Sequence, residues 1–307
     1  MRIVFFGTPE FAVASLEKLL HERYDVAAVV TQPDKPQGRS RSTLVEPPVK
    51  LAASKAGVPV LQPERPTGDV FLASLRRLAP DLGVVVAYGH ILRRELLTLP
   101  PRGMINVHAS LLPHLRGAAP IQHAILAGDD VTGVSIMQME EGLDSGPVLL
   151  QADTPISEGE TAGQLSGRLA ALGATALLSA LARLEDGTAR AEPQNAAAAT
   201  YAPKVDRNSA RLDWTHRPAA LSRQVRAFDP APGAWTTHHG APLKLFGPAT
   251  REGWGEPGTV LSAGDDLVVA AGGGALAVRE VQPAGKTRLP VADWVRGRGI
   301  VPGERLA

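Results

Sequence analysis

Residues 3–32 read IVFFGTPEFAVASLEKLLHERYDVAAVVTQ, and the order of elements within them indicates the fold class. Ile3–Gly7 is a short apolar run with β-branched residues, Pro9–His21 has apolar residues at helical spacing, and Val26–Gln32 is a second apolar run. Near-continuous apolar strands that alternate with helices are typical of a parallel sheet that is covered by helices on both faces. The opening therefore predicts an open α/β domain.

The same alternation continues to about residue 190. Further strands are predicted at Val58–Gln62, Leu82–Tyr88, Met104–Leu111 and Gly133–Met139, and further helices at Pro47–Ala56, Asp69–Leu78 and Thr161–Glu185. The segment Asp34–Pro48 has no apolar period, which predicts a long loop of the kind that carries function. We expect residues 1–190 to form one domain built on an open, mostly parallel Rossmann-like sheet.

A different pattern follows a segment rich in proline and alanine. Residues 191–204 contain Pro193 and Pro203, which predict a linker. After a predicted helix, we expect short strands separated by glycine-containing turns at Ala234–His239, Leu243–Pro248, Gly258–Leu261, Leu267–Ala271 and Leu276–Val281. Regular short strands with glycine turns predict a smaller OB-like β-barrel domain over residues 205–307.

Composition narrows the possible functions. The 307 residues include no cysteine, which excludes a disulfide framework, an iron–sulfur cluster, a Cys-ligated zinc ion and a thiol nucleophile. No apolar stretch reaches the roughly 18 residues of a membrane span, and the first apolar run is too short for a signal peptide. We therefore expect a cytoplasmic protein without a membrane partner. Residues 200–307 carry 14 Lys and Arg against 10 Asp and Glu, which permits a polyanionic partner.

Three polar residues lie at the ends of predicted strands. Asn106 and His108 are two positions apart on a strand, so their side chains share a face. Asp144 lies between Gly142 and Gly146 at the carboxyl end of another strand, where open α/β sheets bind ligands. An amide, an imidazole and a carboxylate can stabilise an oxyanion and transfer a proton, which indicates direct acyl transfer to an attacking acceptor. A structural Asn–His pair and an Asx-type turn at Asp144 remain the alternatives.

Many segments resemble the methionyl-tRNA formyltransferase family, nearly end to end. In the first half they are FGTPEFA (6–12), TQPDKPQGR (31–39), VVAYG (85–89), NVH (106–108), SLLP (110–113), RGAAPIQ (116–122) and GLDSG (142–146). In the second half they are TYAPK (200–204), ARLDW (210–214), RAFDP (226–230) and QPAGK (282–286). The resemblance implies transfer of the formyl group of 10-formyltetrahydrofolate, as co-substrate, to the amino group of methionine on initiator methionyl-tRNA for translation initiation.

The resemblance also implies site residues and partners. The catalytic positions are Asn106, His108 and Asp144; the tetrahydrofolate-binding residues are Ser110, Leu111, Leu112 and Pro113, with Tyr88 and Gly89 near the pterin; the expected tRNA contacts are Arg39 and Arg41. No metal is implied, and we expect a monomer. Six other histidines have no partners comparable to those of His108, and we expect them to be structural or solvated: His21, His90, His123, His216, His238 and His239.

Three other functions are compatible with parts of the sequence. Another folate formyltransferase or hydrolase, such as a glycinamide ribonucleotide or sugar-amine formylase, could share the first domain, but a small acceptor gives no reason for a basic β-barrel. A dinucleotide-binding oxidoreductase is disfavoured because Gly7-Thr8-Pro9 lacks the Gly-x-Gly-x-x-Gly spacing that holds a pyrophosphate. A non-catalytic RNA-binding module is disfavoured by Asn106, His108 and Asp144.

Overall fold

The computed structural model describes residues 1–37 and 43–307. The chain divides into two compact units that are not continuous in sequence. The first unit comprises Met1–Gly117, Thr132–Thr154 and Ser166–Tyr201; the second comprises Ala118–Val131, Pro155–Leu165 and Ala202–Ala307. The predicted bounds of 1–190, 191–204 and 205–307 do not coincide with this division, and the domain limits stay a prediction.

Packing explains why two early segments belong to the second unit. The helix Pro120–Ala127 packs against the helix Pro218–Ala227. In the other segment, the Gly163 backbone N–H donates to the carbonyl oxygen of Asp229 at 3.0 Å. Composition and prolines gave no sign of these contacts, since both join residues that are distant in sequence.

The first unit is built on a seven-stranded sheet. In chain order the strands up to residue 155 are β1 (Arg2–Gly7), β2 (Asp25–Val30), β3 (Lys35–Gln37), β4 (Thr43–Val45), β5 (Val60–Leu61), β6 (Leu82–Val86), β7 (Met104–His108), β8 (Val131–Gln138) and β9 (Val148–Pro155). The helices up to residue 185 are α1 (Glu10–His21), α2 (Pro48–Lys55), α3 (Asp69–Leu78), α4 (Arg94–Leu97), α5 (Pro120–Ala127) and α6 (Ala162–Glu185), of which α5 and the first turn of α6 belong to the second unit. The sheet order is β5-β2-β1-β6-β7-β8-β9, and β3 pairs with β4 separately.

Strand pairing confirms the open, mostly parallel Rossmann-like sheet. β1 is parallel to β2 and β6, β2 is parallel to β5, and β6 is parallel to β7, whereas β8 runs antiparallel to β7. All five residues of β6 are buried, which is the burial that its continuous apolar sequence predicts. The central strands therefore end at one edge of the sheet, where β7 presents Asn106 and His108.

The sequence did not predict the short helices α4 and α5, and three further differences concern the regions around the predicted site. The segment expected to be one loop contains the short antiparallel pair β3–β4, and both Arg39 and Arg41 lie outside the described residues. Strand β7 ends at His108 rather than Leu111, and beyond it the Ser110 carbonyl oxygen accepts a hydrogen bond from the Ser135 hydroxyl at 2.7 Å rather than from the backbone of a neighbouring strand. Strand β9 was not predicted, since only Leu149 among its eight residues is buried.

Helix α6 is long and apolar enough to cross a membrane by length and composition alone. Half of its most apolar window is buried inside the protein, and the core helix of a soluble protein passes the same test. Its buried residues include Leu165, Leu169, Leu177 and Leu181. The finding is weak evidence for a membrane span.

The second unit contains an antiparallel sheet. Its elements after residue 204 are α7 (Pro218–Ala227), β10 (Trp235–His238), β11 (Ala241–Arg251), β12 (Val260–Ala263), β13 (Leu267–Ala271), β14 (Gly274–Pro283), β15 (Leu289–Pro290) and α8 (Val291–Arg296). The sheet order is β10-β11-β14-β13-β12, with β15 on β14. One face of it packs with α7 around a core that includes Trp214, Leu245 and Val278. This curled half-barrel is the OB-like domain that the glycine-punctuated strands predict.

Candidate active site

Strand β7 holds the first two predicted catalytic residues. The His108 side chain is 6% exposed, and its Nε2 atom lies 3.0 Å from the carbonyl oxygen of Leu115. Because a carbonyl oxygen only accepts, this hydrogen bond requires a proton on Nε2. Asn106 is half-buried, and its amide makes no hydrogen bond with the rest of the described chain. The Asn106 amide is therefore free to bind a ligand.

The third predicted residue, Asp144, lies beside His108. The Asp144 Oδ2 atom is 3.7 Å from His108 Nδ1, and it accepts a hydrogen bond of 2.8 Å from the Gly117 N–H. A separation of 3.7 Å is too long for a hydrogen bond. Nδ1 is thus the imidazole nitrogen without a hydrogen bond in the described structure, and it faces a carboxylate that can balance a positive charge on the ring.

The backbone of Asp144 is held by residues that the sequence analysis did not select. Asp144 has φ 46°, a left-handed conformation that Asp adopts more readily than most residues. The Gln194 amide Nε2 donates to the carbonyl oxygens of Asp144 and Gly146 at 2.8 and 2.7 Å. The buried Arg116 guanidinium donates to Gln194 Oε1 through Nε at 3.1 Å and Nη2 at 2.7 Å. Arg116 and Gln194 therefore fix the loop that presents the carboxylate.

The signal for these two residues was weak. Arg116 stands in the small-residue stretch RGAAP, where a buried cation needs a partner, but nothing in the sequence identifies the partner. Gln194 lies in the Pro- and Ala-rich segment that predicts a linker. A single polar side chain in a predicted linker belongs to no motif or periodic pattern, so only the folded structure shows its role.

The predicted folate loop, Ser110–Pro113, is braced by polar side chains from β8 and β9. The buried Ser135 hydroxyl donates to the Ser110 carbonyl oxygen at 2.7 Å and accepts from the Leu112 N–H at 3.0 Å. The Gln151 amide donates to the Leu112 carbonyl oxygen at 2.8 Å and to Ser135 Oγ at 2.9 Å. The peptide bond between Leu112 and Pro113 is cis. The hydrogen bonds from Ser135 and Gln151 therefore hold the backbone of this loop in place.

The predicted pterin-site residue Tyr88 is buried, whereas its neighbour Gly89 is exposed. The Tyr88 ring is 1% exposed and packs edge-on against Phe6, with 5.5 Å between ring centroids. Burial raises the pKa of Tyr88 to about 12, and its hydroxyl has no hydrogen-bond partner among the described residues. The Tyr88 carbonyl oxygen accepts from Thr8 Oγ1 at 2.9 Å and Gln32 Nε2 at 3.0 Å. Gly89 has φ 87°, and a Cβ there would collide with the Gln32 amide.

One of the remaining histidines contradicts the prediction that all six lack comparable partners. His238 Nε2 lies 2.6 Å from the Glu304 Oε2 atom. The other contacts are longer: His239 Nε2 lies 3.6 Å from the same Glu304 atom, His123 Nε2 lies 3.1 Å from the Pro203 carbonyl oxygen, and His21 Nδ1 lies 3.2 Å from its neighbour Glu22. The prediction was wrong for His238 because Glu304 is 66 positions away in sequence.

Both halves of the chain match known protein families. Residues 1–181 match the family model for formyl transferase, and residues 204–299 match the model for the formyl transferase C-terminal domain. The chain is 48% identical over 306 residues to the methionyl-tRNA formyltransferase of Magnetococcus marinus. The alignment covers 99% of this chain and 98% of that relative.

Solved structures share the fold at lower identity. HypX from Aquifex aeolicus, solved in complex with tetrahydrofolic acid, has a TM-score of 0.67 and 21% identity, and the match covers 96% of this chain and 47% of HypX. The methionyl-tRNA formyltransferase from Clostridium thermocellum has a TM-score of 0.57 and 12% identity over 92% of this chain and 98% of that one. These two likenesses concern the fold alone. By its family models and its full-length relatives, the chain belongs to the formyl transferase family and is similar throughout to its methionyl-tRNA formyltransferase members.

Proposed function

We propose that this formyltransferase transfers the formyl group of 10-formyltetrahydrofolate to the α-amino group of methionine on initiator methionyl-tRNA. The observation that carries the proposal is the 48% identity to the Magnetococcus marinus methionyl-tRNA formyltransferase over 98% of that protein. A folate-derived formyl donor is supported by the shared fold of HypX, which was solved with tetrahydrofolic acid. The identity to the Magnetococcus marinus relative extends through residues 204–299, which match the formyl transferase C-terminal domain.

The proposed reaction is a direct acyl transfer without a metal ion. The neutral methionyl amine attacks the formyl carbon, which forms the new C–N bond and places negative charge on the formyl oxygen. When the tetrahedral intermediate collapses, the bond from the formyl carbon to the folate nitrogen breaks. That nitrogen takes up a proton while the attacking amine loses one, so charge and protons balance.

The three catalytic candidates have separate roles in this proposal. The Asn106 amide, which lacks another partner in the described chain, donates a hydrogen bond to the developing oxyanion. His108 carries the transferred proton on Nδ1, because Nε2 is committed to the Leu115 carbonyl oxygen. Asp144 stabilises a positive charge on that imidazole from 3.7 Å.

Binding of the two substrates is assigned to separate regions. We propose that Ser110–Pro113 and the backbone at Tyr88 and Gly89 line the pterin site. We further propose that Arg39 and Arg41 contact the tRNA together with residues 202–307 of the second unit, which carry 14 Lys and Arg against 10 Asp and Glu. A cytoplasmic monomer fits this role.

Mass spectrometry of the products tests the proposal. The protein is incubated with 10-formyltetrahydrofolate and methionyl-tRNA, free methionine, glycinamide ribonucleotide or an amino-sugar nucleotide in parallel. We expect a formyl group on methionyl-tRNA and much slower modification of the other acceptors. Faster formylation of a small acceptor than of methionyl-tRNA would assign the chain to another activity in the same family. Absence of transfer to every acceptor would overturn the proposal.

A further inference from the structure

Two adjacent histidines converge at the hairpin between β10 and β11. His238 is the last residue of β10, and β11 begins at Ala241. Side chains of successive strand residues point to opposite faces, but His239 and Gly240 form a turn with φ 49° and 76°. The ring centroids of His238 and His239 are consequently only 4.1 Å apart. Both imidazoles lie on the same side of the hairpin.

Glu304 reaches the same point from the far end of the chain. Its backbone is fixed beside β12, because Val260 N–H donates to the Glu304 carbonyl oxygen at 2.9 Å and Gly303 N–H donates to Val260 at 2.8 Å. The Glu304 Oε2 atom lies 2.6 Å from His238 Nε2 and 3.6 Å from His239 Nε2. The possible ligand atoms of these three side chains all lie within 4.8 Å of one another, and the described residues contain no other such cluster of three His, Asp or Glu.

One side of the cluster is supported by protein and the other is open to solvent. The edge of Trp294 packs on His238, with ring centroids 5.5 Å apart at 81°. The His238 side chain is 12% exposed, whereas that of His239 is 74% exposed. A metal ion would displace the proton that His238 Nε2 and Glu304 Oε2 share at 2.6 Å, because an imidazole binds a metal ion through an unprotonated nitrogen. The cluster thus offers an anionic oxygen and two imidazole nitrogens with a path for entry.

We propose that His238, His239 and Glu304 form a binding site for a divalent transition-metal ion such as Zn²⁺. Imidazole nitrogen suits zinc, copper and nickel, whereas magnesium and calcium prefer sites built from oxygen alone. Bonds of about 2.0–2.2 Å in a tetrahedral site place ligand atoms roughly 3.3–3.5 Å apart. The observed separations of 2.6 and 3.6 Å lie on either side of that range, within what a small rotation of each side chain would correct. Three protein ligands leave a fourth position for water.

The competing explanation is an ordinary His–Glu hydrogen bond. That bond accounts for His238 and Glu304 but does not require His239, which is exposed and occupies a left-handed turn position. The role of His239 therefore separates the two explanations. Its exposure also makes His239→Ala a variant that leaves the core of the second unit intact.

Isothermal titration of the metal-free full chain with Zn²⁺ tests the site. We expect one ion per chain in the wild type, and at least about tenfold weaker binding in His239→Ala and in Glu304→Gln, the lower end of what the loss of a group around a metal site costs. His216→Ala, which removes an exposed histidine of the same unit, is the control and should bind as the wild type does. Zn²⁺ should raise the Tm of the wild type and of the control more than that of His239→Ala.

Two results would overturn the metal site. One is the absence of stoichiometric Zn²⁺ binding by the wild type. The other is equal affinity in the wild type and His239→Ala, which would leave only the hydrogen bond between His238 and Glu304. Formylation enters neither readout, so failure of this inference is distinguishable from failure of the proposed function.

Discussion

Replacing Gln194 with alanine should impair formylation although this side chain is no candidate for contact with the reacting atoms. The Gln194 amide donates to two carbonyl oxygens, at Asp144 and Gly146, and accepts two hydrogen bonds from Arg116. At roughly 0.5–1.5 kcal/mol for each hydrogen bond, and with water replacing part of the loss at this half-buried site, we expect a loss of about 2–4 kcal/mol in the free energy of unfolding.

The effect on the rate arises through Asp144. Without Gln194, the Asp144 backbone at φ 46° loses the contact that holds its carbonyl group. A displacement of about 1 Å in a catalytic group can cost roughly 10²-fold in rate. We therefore expect kcat for formylation to fall about 10- to 100-fold, with smaller changes in KM. Because Gln194 acts through Asp144, the double variant with Asp144→Ala should be no slower than Asp144→Ala alone.

The matched control is Gln224→Ala. The Gln224 amide also bridges two carbonyl oxygens, those of Ser209 at 2.9 Å and Arg211 at 3.0 Å, but it does so in the second unit. Thermal unfolding and steady-state formylation are measured for both variants. The reasoning is refuted if Gln194→Ala keeps the kcat of Gln224→Ala, or if the Gln194 and Asp144 effects multiply in the double variant.

Three further outcomes follow from the same structure. Gln151→Ala should weaken tetrahydrofolate binding about tenfold, since it removes two hydrogen bonds that brace Ser110–Pro113; fluorescence titration measures this, and unchanged affinity would contradict it. The pKa of Tyr88 is about 12 in the folded state and about 10 in the unfolded state. Its contribution to the free energy of unfolding, about 2–3 kcal/mol, is therefore fully present below pH 10 and is lost as the pH rises through 12. Tyr88→Phe should make that decline shallower in chemical denaturation, and an unaltered decline would show that burial of Tyr88 is not its source. Arg39→Ala should weaken tRNA binding and reduce the salt slope by roughly 0.7–0.9 while folate affinity stays unchanged; an equal loss with Lys55→Ala would indicate general charge rather than a contact.

The sequence predicts the fold well where burial is continuous and local. Helix α3 covers the predicted Asp69–Leu78, and β13 covers the predicted Leu267–Ala271, because apolar periodicity and the flanking turns decide both. The short pair β3–β4 and the edge strand β9 escaped prediction, since neither buries enough apolar surface to produce a pattern. Strand β7 ends earlier than its apolar sequence suggests, and Ser135 binds the backbone beyond it.

The candidate site divides in the same way. Spacing along one strand brings Asn106 and His108 to a common face, and the glycines around Asp144 indicate an exposed loop, so these residues are accessible to sequence reasoning. That Asp144 lies 3.7 Å from His108 depends on tertiary packing. The Gln194 amide hydrogen-bonds to a residue 50 positions away in sequence, and such a contact produces no periodic pattern in the sequence.

Single-turnover formylation of methionyl-tRNA tests the central claim most directly. Wild-type protein, Asn106→Ala, His108→Ala and Asp144→Ala are each mixed with 10-formyltetrahydrofolate and charged tRNA, after circular dichroism has established that all four are folded. We predict rapid formylation by the wild type and a loss of about 10²–10³-fold in each variant, the usual cost of removing one group that stabilises a developing oxyanion. No formylation by the wild type, or near-wild-type rates in any two of the variants, would contradict the account.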